Sequence, residues 1–228
     1  MDVYPIFLNR LNKNKTVIIG GDDEAERKVG ELNNAGADLI VISRRISPVM
    51  HEWHGQNVFE WISRDYQEGD LKGAFMVIVA EFTGDTNQLV WKEANRLGIL
   101  CNVMDDIPHC NFTFGSLVKR GPLNIAVSTS GAAPTLAVRL RERFEQEFGP
   151  EYEDFLDFMH SIRGKMKQLH PDFSKRKQLW YELIDSNVLD LFRQGRFEEA
   201  EKLTYAIISG ELINPHTPKP SQINRQEK

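Results

Sequence analysis

The sequence predicts an α/β protein: a Rossmann-like parallel sheet domain, then a small two-stranded element, then a C-terminal helical domain. Three observations carry this. Short apolar, β-branched runs alternate with helix-like stretches through the first half of the chain. The pattern changes to a strand pair near residue 120, and beyond Gly149-Pro150 only helical periodicity remains. A length of 228 residues holds one large domain, or a compact domain with an extension.

The strand-like runs are Thr16 to Gly20, Asp38 to Ser43, Phe75 to Ala80 and Ile99 to Val103. Continuous apolar runs separated by helices predict parallel strands covered on both faces. A charged amphipathic stretch leads to Ala35, and Gly36 and Gly98 stand where C-cap glycines belong. Val58 to Ile62 alternates, as a strand nearer the sheet edge does. Phe112 to Ser130 reads as two strands about a Lys119-Arg-Gly-Pro122 turn. A helix over 134–147 follows, with Pro134 in its first turn and Ser128, Thr129 or Ser130 ahead of it as caps. Helical stripes through Tyr152 to Leu169, Leu179 to Ile184 and Phe197 to Ile207 are read as core. The expected division is 1–112, 113–148, 149–213 and a flexible polar tail over 214–228.

Composition narrows the function. With 41% hydrophobic and 27% charged residues, the chain is neither disordered, collagen-like nor a disulfide scaffold. A net charge of −5 argues against nucleic acid, so an anionic ligand needs locally concentrated cations. Two cysteines, Cys101 and Cys110, without a CxxC pair point to a reducing compartment. The start of the chain has no signal-peptide pattern, and no run approaches the roughly 18 apolar residues of a membrane span. A cytoplasmic protein without membrane contact is the expectation. His109 and Cys110 lack a third ligand nearby, so no metal site is expected.

The strongest local signal is the first strand running into Gly20-Gly-Asp-Asp-Glu-Ala25. In a dinucleotide fingerprint one glycine makes the tight turn, a second admits the pyrophosphate, and a third small residue packs helix on strand. Those places fall on Gly20, Asp22 and Ala25. Asp22 sets an anion where two phosphates would sit, and like charges about 4 Å apart cost on the order of 1 kcal/mol in water. A nucleotide site and a structural glycine turn both remain open. The second strand ends in Ser43-Arg44-Arg45, where a ribose-binding acid would mark NAD. Two arginines there fit a 2′-phosphate, and equally a solvated loop. The fifth run ends in Asp105-Asp106, either ligand-facing carboxylates at a strand end or turn formers.

An ordered set of motifs then resembles a known family. It comprises Tyr4-Pro-Ile-Phe-Leu8, Val17-Ile-Ile-Gly-Gly21, Ala25-Glu-Arg-Lys-Val29, Gly36-Ala37, Asn87, Asn102-Val-Met-Asp105, Phe112, Arg120-Gly-Pro-Leu123, Val127-Ser-Thr-Ser-Gly131, Pro134, Leu136-Ala137 and Leu140-Arg141. The set is similar to precorrin-2 dehydrogenase/sirohydrochlorin ferrochelatase, the N-terminal module of siroheme synthase, over about residues 1–147. The resemblance implies oxidation of precorrin-2 to sirohydrochlorin with NAD, NADP being the other candidate, and ferrous iron as a substrate if the chain is also a chelatase. It implies a homodimer with 113–148 as the dimerisation segment, and an active site between that segment and the nucleotide fold. It assigns Asp105 as the catalytic base.

The same resemblance makes Gly20, Gly21, Asp22, Asp23, Glu24, Ser43, Arg44, Arg45, Ala80 and Glu81 the cofactor-binding set. The tetrapyrrole substrate carries eight carboxylates on an apolar ring. Arg120, Ser128, Thr129, Ser130, Gly131 and Arg139 are the expected substrate-binding residues, with Lys119, Arg141 and Arg143 as further cations. Two departures add negative charge near the cofactor: Asp22 and Glu24 replace a glycine and an apolar residue, and Ala80-Glu-Phe replaces an Ala-Thr-Asp or Ala-Thr-Asn sequence. The alternative is therefore a chelatase-only enzyme, or a non-catalytic tetrapyrrole-binding protein that has lost NAD.

Overall fold

A computed structural model describes residues 3–80 and 84–211. The expectations placed on Glu81 and on residues 214–228 lie outside these residues. The chain divides into two compact units, one up to Phe114 and one from Gly115.

In the first unit β1 (Lys15–Ile19), β2 (Asp38–Ile42), β3 (Glu60–Ile62), β4 (Met76–Val79) and β5 (Leu100–Val103) form one sheet in the order β3-β2-β1-β4-β5. Every pairing is parallel. The connecting helices are α1 (Asp23–Asn33), α2 (Pro48–Gly55) and α3 (Gly84–Leu97). Alternate side chains of the central strands go to opposite faces. Ile18, Val41, Met76 and Ile78 pack with Val29 of α1 and Met50 of α2. Val17, Ile19, Val77 and Val79 pack with Val90 and Ala94 of α3. This two-sided burial is why the strands read as unbroken apolar runs.

The chain runs outward from β1 through β2 to β3, then returns to the far side of β1 at β4. That reversal makes the switch point of a doubly wound sheet, where a ligand crevice opens beyond the carboxyl ends of β1 and β4. Gly36 and Gly98 both take positive φ, +73° and +69°. Behind them the Ala37 and Ile99 amides donate back to Leu32 and Ala94 carbonyls, closing α1 and α3.

The second unit opens with the antiparallel hairpin β6 (Ser116–Arg120) and β7 (Leu123–Val127), then α4 (Pro134–Glu147). Five helices follow: α5 (Glu151–Ser161), α6 (Arg163–Leu169), α7 (Phe173–Ile184), α8 (Val188–Arg193) and α9 (Phe197–Ser209). Their core is built from residues such as Phe155, Met166, Leu183, Phe192 and Ile208. Three positions expected in the core, Leu169, Ile184 and Phe197, are exposed. Each is the terminal residue of its helix, where the apolar stripe runs past the end of the packed face. The expected serine or threonine cap of α4 is also corrected. Its N-cap is Ala133, without a side-chain bond, and Thr129 Oγ1 accepts only from the Ala133 amide, at 3.2 Å. Among the described residues no helix is long and apolar enough to cross a membrane.

One buried charge tests this packing. The Lys28 side chain is 4% exposed, with Nζ 2.7 Å from Glu31 and 3.8 Å from the centroid of the Phe114 ring. Burial pulls its pKa below the ordinary lysine value of 10.5, against the opposing pull of Glu31. A base whose folded pKa lies below its unfolded pKa binds fewer protons when folded, so stability rises as pH climbs from the folded value to the unfolded one. Urea unfolding is therefore expected to show stability increasing as pH approaches about 10.5 from below. Lys28→Met should flatten that rise and be neutral or stabilising by about 1 kcal/mol at pH 7.

Candidate functional site

The crevice is shaped first by two glycines with separate tasks. Gly20 follows β1 at φ +124°, a conformation that side chains rarely adopt, and its amide donates to the Ile42 carbonyl at 3.0 Å. Gly21 lies against the loop after β2: a Cβ there would stand 1.9 Å from the Arg45 carbonyl oxygen and 2.9 Å from Ser43 Oγ. Ala25, in the first turn of α1, is fully buried. Asp22 is the N-cap of α1, with Oδ1 accepting from the Ala25 amide at 3.2 Å. Its carboxylate thus already holds part of the helix N-terminus, where a phosphate would otherwise be received. Asp23 and Glu24 occupy the first turn, and Glu24 pairs with Arg27 at 2.6 Å.

The loop after β2 forms the next wall. Ser43 Oγ donates to the Arg45 carbonyl at 2.7 Å, and the Ser43 carbonyl accepts from Trp61 Nε1 at 2.9 Å. Arg44 forms an ion pair with Asp65, both well exposed. Arg45 is also exposed. Ala80 is buried, and its amide extends the β1–β4 ladder by donating to Ile19 at 2.8 Å.

At the end of β5 the turn is pinned by side chains. Asn111 accepts from the Cys101 amide at 2.7 Å and donates to the Ile99 carbonyl at 2.9 Å, so it satisfies the free edge of β5 as another strand would. Asn102 Nδ2 donates to the Phe112 carbonyl at 3.0 Å. The Cys110 thiol accepts from the Val103 amide at 3.2 Å. Burial pushes both thiols up, Cys101 to about 12, which keeps them protonated. His109 Nδ1 is bonded to Asp106 at 2.7 Å and its ring meets Trp91 edge-on. The turn so fixed presents Asp105, exposed and at φ +58°. Aspartate tolerates this left-handed conformation better than most side chains. Among the described residues no group of three or more His, Cys, Asp or Glu could hold a metal ion.

In the second unit, Ser130 and Gly131 take φ +53° and +80° and lead into α4. The Ser130 amide donates to Ser128 Oγ at 3.2 Å, and the Ala132 amide to the Thr129 carbonyl at 2.9 Å. Arg120 spends three donors on the carbonyls of Lys119, Glu145 and Phe148, at 2.9, 3.2 and 2.9 Å, closing the C-terminus of α4. Two of the five N–H groups of its guanidinium remain. Arg139 reaches Glu142 at 3.0 Å and is 76% exposed, while Arg141 pairs with Glu145 at 2.5 Å.

Comparison with known proteins follows the same division. Residues 6–116 match a family profile described as "Putative NAD(P)-binding". Residues 120–147 match "Sirohaem biosynthesis protein central", and residues 151–207 match "Sirohaem synthase dimerisation region". The chain belongs to the siroheme synthase family. Siroheme synthase 1 of Serratia proteamaculans strain 568 is 32% identical over 202 residues, 89% of this chain and 42% of that protein. Siroheme synthase 2 of Yersinia pestis strain Pestoides F is 33% identical over 213 residues, 92% of this chain and 44% of that protein. The chain thus spans less than half the length of these siroheme synthases. A solved structure titled "SirC, precorrin-2 dehydrogenase" superposes with a TM-score of 0.73 at 26% identity, covering 88% of this chain and all of that one.

Gly21, expected in the cofactor set, is required to be glycine by a loop that follows the next strand. Two contributors to the site escape sequence reasoning: Asn111, required by an unpaired sheet edge, and Trp61, required by a carbonyl at the end of β2. The spacing of Asn102 and Asn111 about a strand end is the only signal that could have flagged any of them. The Asp22 geometry yields a direct test. Its side chain is exposed, and an N-cap Asp→Gly change costs only a few tenths of a kcal/mol. A dinucleotide at the glycine turn would require Asp22 to rotate off Ala25. Calorimetric titration with NAD is expected to show Asp22→Gly binding about fivefold or more tighter than the wild type, by removal of about 1 kcal/mol of like-charge repulsion. Equal affinity would show that the Asp22 carboxylate does not face the phosphates.

Proposed function

We propose that this chain is an NAD(P)-dependent precorrin-2 dehydrogenase of siroheme biosynthesis, oxidising precorrin-2 to sirohydrochlorin. The observation that carries the reading is Asp105: a solvent-facing carboxylate in a left-handed turn, held rigid by Asn102, Asn111 and Cys110, at the ligand end of a dinucleotide-type sheet. The match to a precorrin-2 dehydrogenase along that structure's whole length supports it.

When bound, the nicotinamide cofactor supplies the hydride acceptor. Gly20 and Gly21 leave room for the pyrophosphate, and the N-terminus of α1 is its electrostatic complement once Asp22 turns aside. Asp23, Glu24 and Ala80 complete the wall, with Glu81 assigned by sequence alone. Ser43, Arg44 and Arg45 would border the ribose. Because Arg44 is engaged by Asp65, NAD is favoured over NADP. Asp105 would take a ring proton, offsetting the positive charge that loss of a hydride would leave on the ring. Substrate carboxylates are assigned to the Ser128 to Gly131 turn, to Arg139, and to the two free N–H groups of Arg120. A carboxylate that removes ring protons equally serves insertion of ferrous iron, which then enters as a substrate. The capping of α1 by Asp22 favours the chelatase-only alternative, in which no dinucleotide is needed.

Incubation with precorrin-2 and NAD is expected to develop sirohydrochlorin absorbance, and no conversion with NAD or NADP overturns the assignment. Metallation of supplied sirohydrochlorin by ferrous ion without such conversion would install the alternative. Asp105→Asn should keep its unfolding midpoint, since Asn also accepts positive φ, while kcat falls about 100-fold or more.

A homodimer in the cytoplasm completes the reading, with 113–148 as the proposed dimerisation segment and contact extending into the helices. The α6–α7 face carries a cleft of about 650 Å³ lined by Phe173, Trp180, Tyr181 and Ile184, three of them exposed. Exposed apolar patches of this kind mark partner surfaces, and this one falls within the stretch matching a dimerisation region. Sedimentation analysis is expected to give a dimer, and Tyr181→Glu should shift it to monomer without loss of helix content.

A further inference from the structure

We infer that Trp61, on the edge strand β3, is a positioning residue for the cofactor loop, acting through the main chain of Ser43–Arg45. The inference rests on the nucleotide-binding reading above and assigns it a residue that no fingerprint contains.

The argument begins with an unpaired carbonyl. β3 has only three residues, registered against β2 as Ile40 with Glu60, Val41 with Trp61 and Ile42 with Ile62. The Ser43 amide still finds the Ile62 carbonyl, at 3.2 Å, but the ladder stops there. The Ser43 carbonyl is met instead by the Trp61 indole N–H at 2.9 Å. A main-chain acceptor at a strand end otherwise drifts toward water, and the loop with it. The indole is itself held: His51 and His54 of α2 meet its ring edge-on, with centroids 5.2 and 5.7 Å away. His54 is fixed in turn by its Nδ1 contact with the Phe59 carbonyl at 3.3 Å.

From Ser43 the path continues to the phosphate turn. Ser43 Oγ donates to the Arg45 carbonyl at 2.7 Å, and that same oxygen is the atom against which Gly21 packs. A Cβ on Gly21 would be 1.9 Å from it, so the glycine turn and the Arg45 carbonyl share one van der Waals contact with no slack. Any shift of the Arg45 carbonyl is therefore felt at Gly21. An exposed loop rich in polar side chains is thereby ordered from an edge strand, through a hydrogen bond to its main chain. Its effect falls on cofactor affinity and leaves the chemical step alone.

The test is calorimetric titration with NAD, alongside steady-state kinetics and thermal unfolding. Trp61→Phe keeps an aromatic ring beside the two histidines and removes the N–H together with part of the indole, so its Tm is read alongside. It is expected to raise the NAD Kd and KM about five- to tenfold, the worth of one buried hydrogen bond, with kcat at saturating NAD and the KM for precorrin-2 unchanged. Trp61→Tyr, whose hydroxyl cannot replace the indole N–H, should lose the same factor at unchanged Tm. A loss that follows Tm instead overturns the inference. Combined with Ser43→Ala, Trp61→Phe should lose less than the product of the two separate losses, because both act along one path. Multiplicative losses overturn the relay. A wild type that does not bind NAD overturns the nucleotide reading along with it, whereas a wild type that binds and a Trp61→Phe that binds within twofold overturns only the role of Trp61.

Discussion

The ligand end of this protein depends on one close approach, that of Gly21 to the Arg45 carbonyl. Strands β1 and β2 are adjacent and parallel, so the two loops leaving their carboxyl ends must pass each other at about the strand spacing of 4.8 Å. Only a residue without a side chain fits on the β1 side, and the second loop is tied by Ser43 so that its carbonyl stays in place. The Gly20 turn, the direction of α1 and the position of Asp22 all follow from where that contact fixes the chain.

Charge is the second organising fact. A net −5 looks diffuse, yet much of the acidity of α1 is spent locally. Asp22 caps the helix, Glu24 and Glu31 pair with Arg27, and Glu26 accepts from Ser47 at 2.5 Å. These acids serve the helix that bears them, and a carboxylate at a helix N-terminus is favourable on its own account. An anionic cofactor at this helix end would therefore compete with the protein's own cap and would not meet a bare negative field. The arginines divide similarly: Arg120 closes α4 and Arg44 is held by Asp65, while Arg139 stays largely in solvent.

Much of this architecture was legible in the residues. Four apolar runs became four strands within a residue or two, the alternating Val58 to Ile62 run yielded the edge strand, and Gly36 and Gly98 ended helices as their positions required. The ordered motifs suffice to place the chain in its family. Asp105 was legible as a strand-end carboxylate, but its positive φ and the clamp around it were not, because the clamp joins Asn111 and Phe112 back to strand residues near position 100. The apolar stripes of the helical unit were right along their lengths and wrong at Leu169, Ile184 and Phe197. Periodicity reports which face a residue lies on, and it cannot report where the opposing surface ends.

The sequence by itself determined the elements, their order and the family, because these rest on local propensity, short-range periodicity and motif order. Tertiary structure alone decided that Gly21, and not only Gly20, must be glycine, that Asp22 turns onto its own helix, that Arg120 spends two donors at the C-terminal end of α4, and that the Trp61 indole meets an orphan carbonyl. The physical reason is common to all four. Each outcome is set by which donor, acceptor or surface lies within a few ångströms, and most of those partners come from a different element of the chain.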